Sequence, residues 1–150
     1  MNLIAGVFEV KKPYFNIDSA NVYGPFGEVR HRGIEASFAG RPFEGLSVVA
    51  GMMLLQARVS GDAVSRGLIG RIPVGVFPRK SFLTLQYQPE AWNGFGIDLS
   101  YSEAGGQRRN LDNSFKSDGY RQLNAGLRYY FKIGKTPASL RLNAYNVTNA

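Results

Sequence analysis

The chain has 150 residues, no cysteine and a formal charge of +7, with 18 glycines, 13% aromatic and only 19% charged residues. Without cysteine neither a disulfide framework nor a thiolate metal site can form, and the glycine and aromatic content favours β-structure with many tight turns. Nucleic-acid binding would need cations gathered on one face or helix, but Arg58, Arg66, Arg71, Arg79, Lys80, Arg108 and Arg109 fall mostly between the apolar segments.

No stretch approaches the ~20 apolar residues of a transmembrane helix; the longest, 46–55, is interrupted by Ser47. Residues 1–8 carry no basic n-region and no cleavage site, so no signal peptide is legible. For an envelope protein that is an objection, which a fragment beginning inside a strand removes.

In chain order, the first segment sets Ile4, Gly6, Phe8 and Val10 against Glu9 and Lys11, and the second sets Ile34, Ala36 and Phe38 against Glu35 and Ser37. Segment 46–55 is apolar on both faces, so its register is not legible. Next, Leu83, Leu85 and Tyr87 oppose Thr84 and Gln86. Phe95, Ile97, Leu99 and Tyr101 then oppose Gly96, Asp98, Ser100 and Ser102. In 120–133, Leu123, Ala125, Leu127, Tyr129, Phe131 and Ile133 face away from Gln122, Asn124, Gly126, Arg128 and Lys132. The last segment sets Ala138, Leu140, Leu142 and Ala144 against Ser139, Arg141 and Asn143. A period of two marks strands with one apolar face.

About seven strands follow, each near the ~9–11 residues of a tilted membrane-spanning strand and longer than the ~5–6 typical of globular proteins. Short turns at 40–45, 88–93 and 134–137 alternate with long polar connections at 12–28, 59–79 and 103–119. Short turns at one end and long loops at the other are the pattern of an outer-membrane barrel. Tyr87, Phe95, Tyr129 and Phe131 lie on apolar faces at the short-turn end, where an interfacial girdle belongs. The expected fold is all-β, an antiparallel transmembrane β-barrel.

Three segments carry a family resemblance. Gly27, Gly33 and Glu35 give a G-x-x-x-x-x-G-x-E core after a long loop. Segment 67–79 holds Pro73 and Pro78 ahead of a descending strand, and Leu142-Asn143-Ala144-Tyr145-Asn146-Val147-Thr148-Asn149 ends in an N-[LV]-x-[ND] pattern. In order and spacing they resemble the barrel of TonB-dependent receptors, most of all the siderophore-receptor branch, over essentially the whole chain. The resemblance implies a barrel of about 22 strands closed by a plug, importing ferric siderophores with energy from the TonB complex. Residues 1–150 then correspond to a partial barrel domain of about seven strands that lacks the plug, the TonB-contacting segment and the final strand. Its partners would be the ferric siderophore, TonB through the missing plug, and outer-membrane lipid and lipopolysaccharide, in a Gram-negative outer membrane. No cofactor and no enzymatic activity are expected.

His31 stands between Arg30 and Arg32 without a triad or metal partner, a poor setting for a general base or ligand. Glu9, Glu35 and Asp98 read as lumen-lining charges answered by Lys11, Arg128 and Arg141. Gly105-Gly106 and Gly67-x-x-Gly70 lack the strand–helix setting of a phosphate loop. Ligand contact is expected from loop aromatics Tyr23, Phe26, Phe115 and Tyr120 and from Arg71, Arg109 and Arg121, cations suited to an anionic chelate. Local packing of the loops, or contact with lipopolysaccharide phosphates, competes for the same residues. Two other readings stay open: a small complete outer-membrane barrel with a structural or adhesion role, and a soluble lipocalin-like binding barrel.

Overall fold

The computed structural model describes residues 1–18 and 20–148. Its strands are β1 (Asn2–Ile17), β2 (Tyr23–Phe43), β3 (Leu46–Ser60), β4 (Arg79–Tyr87), β5 (Phe95–Ala104), β6 (Gln107–Arg108), β7 (Lys116–Ser117), β8 (Tyr120–Ile133) and β9 (Thr136–Ala144), with one short helix, α1 (Asp62–Ser65). Seven of them form a single sheet in the order β1-β2-β3-β4-β5-β8-β9, while β6 and β7 pair separately. Every pairing is antiparallel. Among the described residues β1 and β9 each keep one unpaired edge.

The short turns are tight for local reasons. Gly45 has φ 76°, and a Cβ there would fall 2.8 Å from the Pro89 Cα, so only glycine fits. The close approach lets the Gln88 amide donate to the Gly45 carbonyl at 2.8 Å, which ties two neighbouring turns together.

Directly opposed residues in an antiparallel pair share a face, so the register assigns every side chain to one wall or the other. The outward face carries Ile34, Ala36 and Phe38 of β2, Leu83, Leu85 and Tyr87 of β4, Ile97, Leu99 and Tyr101 of β5, and Leu123, Ala125 and Leu127 of β8. This agrees with the alternation of those segments. In β3 the pairing resolves the ambiguous register: Val48, Ala50, Met52 and Leu54 point outward.

The β1 expectation is corrected. Leu3, Ala5 and Val7 lie opposite Phe38, Ala36 and Ile34 and face outward, while Ile4, Gly6, Phe8 and Val10 face inward. The inner wall there is itself apolar: Phe8 lies across Gly33, whose Cβ position would be 2.8 Å from its ring. Glu9 moves with its phase to the outer wall, where it meets Arg30 at 3.6 Å. Further along the sheet the inner wall turns polar, with an Arg128–Asp98 ion pair and an Asn124–Ser100 hydrogen bond of 3.2 Å.

The outward apolar stripe occupies 46–54 on β3 and 123–131 on β8, matching the ~9–11 residues of a spanning strand. Its upper edge is the row Val7–Ile34–Leu54 at one side, and the row Leu3–Phe38–Ala50–Leu83–Tyr101–Leu123 at the other. From Val7 to Leu3 is a descent of four residues across five strand-to-strand steps. With ~3.3 Å per residue and ~4.8 Å between strands, that slope is roughly 30°, near the ~35–45° tilt of membrane barrels. A flat membrane edge crossed by tilted strands produces this drift. At the lower edge Phe95 and Tyr129 stack at 4.1 Å, Tyr129 and Phe131 at 5.4 Å, and Tyr87 meets Trp92 edge-on at 5.2 Å, forming the aromatic girdle.

Candidate ligand-binding site at the long-loop end

The segments expected as long loops carry more structure than their polarity suggests. The 12–28 connection is mostly strand: β1 runs to Ile17 and β2 starts at Tyr23. Its tip is closed by Asp18, whose carboxylate accepts the Ala20 and Val22 amides at 2.8 and 2.9 Å. The second connection holds α1, and the third holds the β6–β7 ribbon.

These segments lock together. Val29, Val59 and Ile69 form a buried cluster, packed by Tyr14, Phe26, Ala63, Val64 and Leu111. Val29 and Val59 share the inner face with His31 and Ala57, so the second connection folds over the inner wall rather than away from it. Asn113 joins the second and third connections, its Oδ1 accepting the Ile72 amide at 2.9 Å and its Nδ2 donating to the Ile72 carbonyl at 2.8 Å. The Gly70 amide donates to the Leu111 carbonyl at 2.6 Å and the Gly75 amide to the Arg108 carbonyl at 3.0 Å. The Tyr14 hydroxyl accepts the Val74 amide at 3.3 Å. Three connections thus make one cap over the mouth of the sheet.

The expected ligand residues separate on this cap. Tyr23 is exposed at the hairpin tip and stacks on Phe15 at 5.6 Å. Phe26 packs against the buried cluster, so its ring serves the cap's own core. Arg71 is exposed and anchored by its carbonyl, which accepts the Val59 amide at 2.8 Å. Arg109 and Phe115 share the β6–β7 ribbon: the Arg109 amide donates to the Phe115 carbonyl at 3.0 Å, its Nε to the Ser117 hydroxyl at 3.1 Å, and the Phe115 ring is exposed.

Tyr120 faces inward, opposite Ala104, and lines an inner-wall concavity of about 630 Å³ with Glu35, Met53, Lys80 and Phe82. Arg121 does not join it. Paired with Glu103, it stands on the outer wall above Leu123, because adjacent strand residues point to opposite faces. Sequence reasoning missed Asn113, Tyr14 and Lys80. Of these only Asn113 had a local cue, its position in the turn-forming run Asp112-Asn113-Ser114.

The comparisons with known proteins converge on one family. The model of the TonB-dependent receptor-like β-barrel matches residues 4–147. The ferrichrome receptor FcuA of Yersinia enterocolitica is 31% identical over 144 residues, covering 95% of this chain and 19% of the relative. The crystal structure of BauA, the ferric preacinetobactin receptor of Acinetobacter baumannii, superposes with a TM-score of 0.82 at 25% identity, covering 99% of this chain and 23% of that one. The siderophore receptor PiuA of Acinetobacter baumannii shares the fold with a TM-score of 0.78 at 18% identity, over 99% of this chain and 22% of its own. The chain therefore spans about a fifth of the length of the curated relative it matches. With its tilted apolar stripe, aromatic girdle and looped cap, it belongs to the TonB-dependent receptor β-barrel family of the Gram-negative outer membrane.

Proposed function

We propose that this chain forms part of the wall and mouth of an outer-membrane receptor that binds ferric siderophores and imports them, a receptor and transporter rather than an enzyme. The observation that carries the reading is the cap. Connections distant in sequence fold into one body over the inner wall, which is how a barrel builds a recognition surface from otherwise independent loops. Exposed Tyr23, Arg71, Arg109 and Phe115 on the cap, and Tyr120 beneath it, supply rings and cations for an anionic iron chelate. Likeness to a ferrichrome receptor and to a ferric preacinetobactin receptor supports a siderophore as the cargo. The polar inner wall around Asp98, Asn124 and Arg128 would face a plug in the lumen, and TonB would act through that plug.

The test is growth and uptake of radiolabelled cargo under iron limitation, with and without the intact gene, fed ferrichrome, a catecholate and haem labelled with radioactive iron and cobalamin labelled with radioactive cobalt, in separate arms. Uptake of one ferric siderophore that depends on both the gene and TonB is expected. Replacing Arg71, Arg109 and Tyr120 by alanine should reduce that uptake while leaving the barrel in the membrane. Gene-dependent uptake confined to haem or cobalamin would overturn the siderophore assignment.

A further inference from the structure

We infer that Asn113 is the positioning residue of the cap. It holds the exposed cations Arg71 and Arg109 in a fixed relation, so that an anionic iron chelate meets a preformed pair rather than two independent side chains. The inference rests on the reading of the cap as the ligand site, and goes beyond it in naming a residue that acts on the cargo only through others.

Arg71 and Arg109 come from different connections, and Asn113 bonds to the immediate neighbour of each. Its Oδ1 accepts the Ile72 amide at 2.9 Å and its Nδ2 donates to the Ile72 carbonyl at 2.8 Å, beside Arg71. Its own carbonyl accepts from the Arg108 guanidinium at 2.8 Å, beside Arg109. The Gly70 amide donates to the Leu111 carbonyl, so Arg71 stands between two tied residues. Arg109 is fixed in its turn by Phe115 and Ser117 across the ribbon. Both arginines are exposed, and among the described residues neither makes a salt bridge.

The local chemistry suits Asn113 to this task. Its φ is 63°, in the left-handed region where asparagine is enriched. Its amide fills the space left by the missing side chain of Gly70, where a Cβ would overlap it. The Nδ2 group also reaches the Asn110 carbonyl at 3.4 Å, so its donors are directed at the cap and not at cargo. Like charges without counter-charges repel, so an untied second connection would carry Arg71 away from Arg109. Groups ordered before binding need not be ordered by the cargo, and preorganisation of this kind raises affinity.

The test is a double-mutant cycle on the complete detergent-solubilised receptor, with binding of a ferric tris-catecholate, an anionic complex, read by fluorescence quenching. Asn113→Gly keeps the positive φ and removes only the side-chain bonds. Arg71→Gln and Asn113→Gly should each weaken binding about tenfold. The double variant should be no weaker than Arg71→Gln alone, because positioning a lost cation has no further effect. Gly70→Ala, which evicts the same amide while leaving residue 113 unaltered, should reproduce the Asn113→Gly loss. An Arg71→Gln receptor with full affinity overturns the ligand-site reading, and the proposal with it. A loss in Arg71→Gln that Asn113→Gly either fails to match or multiplies in the double variant leaves that reading standing and overturns the positioning role alone. Full affinity in Gly70→Ala also overturns that role.

Discussion

Leu85 and Thr84 are neighbours in β4, yet the register sends them to opposite walls, which makes them a sharp test of the lipid-facing stripe. Leu85 lies outward between Val48 and Leu99, one row below Leu83 and one above Tyr87, near the middle of the apolar band. Thr84 lies inward between Val49 and Ser100. An arginine on the lipid face costs ~2–4 kcal/mol at the bilayer midplane, roughly 30- to 1,000-fold in the folding equilibrium. An arginine on the inner wall, beside Ser100 and away from lipid, should cost under ~1 kcal/mol. Equilibrium unfolding of the complete barrel in lipid vesicles should rank Leu85→Arg far below Thr84→Arg. The described strands contain no cysteine, so Leu85→Cys and Thr84→Cys also give clean single-dye sites here. The dye at 85 should be quenched by brominated lipid tails and the dye at 84 should not. Equal stabilities, or a dye at 85 untouched by the brominated lipid, would refute the assignment of faces. The dye result would also favour a soluble barrel, in which the apolar stripe lines the interior.

Gly51→Val should destabilise the barrel by about 1–3 kcal/mol through overpacking, because a Cβ at Gly51 would sit 2.5 Å from the Phe82 ring. The same denaturation assay should show Phe82→Ala recovering part of that loss, and strictly additive effects would mean the ring does not lie over the glycine. Asn113→Ala removes both bonds to Ile72 and puts alanine at φ 63°, a local cost of about 2–3 kcal/mol. The expected readout is faster trypsin cleavage at Arg71 and Arg108 with unchanged barrel stability; cleavage at the original rate would show that Asn113 does not hold the cap together.

How much of this was legible depended on what each wall meets. β4, β5, β8 and β9 could be read because lipid lies on one side and polar residues such as Asp98, Asn124 and Arg141 on the other, so hydropathy alternates cleanly. β1 and β3 failed that test because their inner walls also carry hydrocarbon, in Phe8, Val49, Met53 and Leu55. With both faces apolar, only pairing fixes the phase. The extensions of β1 and β2 looked like loop because outward residues such as Lys11 and Arg30 stand above the apolar band and carry no lipid signature. Phe26 could not be placed from its neighbours, since its contacts come from Val29, Val59 and Ile69, brought together only by folding. Arg121 was different: two residues before outward Leu123, its own alternation already put it on the outer wall.

That outer wall also gives the formal charge of +7 a structural meaning that composition could not supply. A basic chain suggests nucleic acid only while its cations are imagined on a surface open to solvent. Here Lys11, Arg30, Arg32, Arg58, Arg79 and Arg121 occupy the outward phase directly above the apolar stripe, with Glu9 and Glu103 interspersed. The belt descends with the stripe from β1 to β8, so both track one plane across tilted strands. Alternation alone cannot produce that coincidence, because each strand changes from apolar to charged at its own sequence position. A membrane boundary can, since it imposes the same height on every strand. The cations therefore mark where the bilayer's hydrocarbon ends.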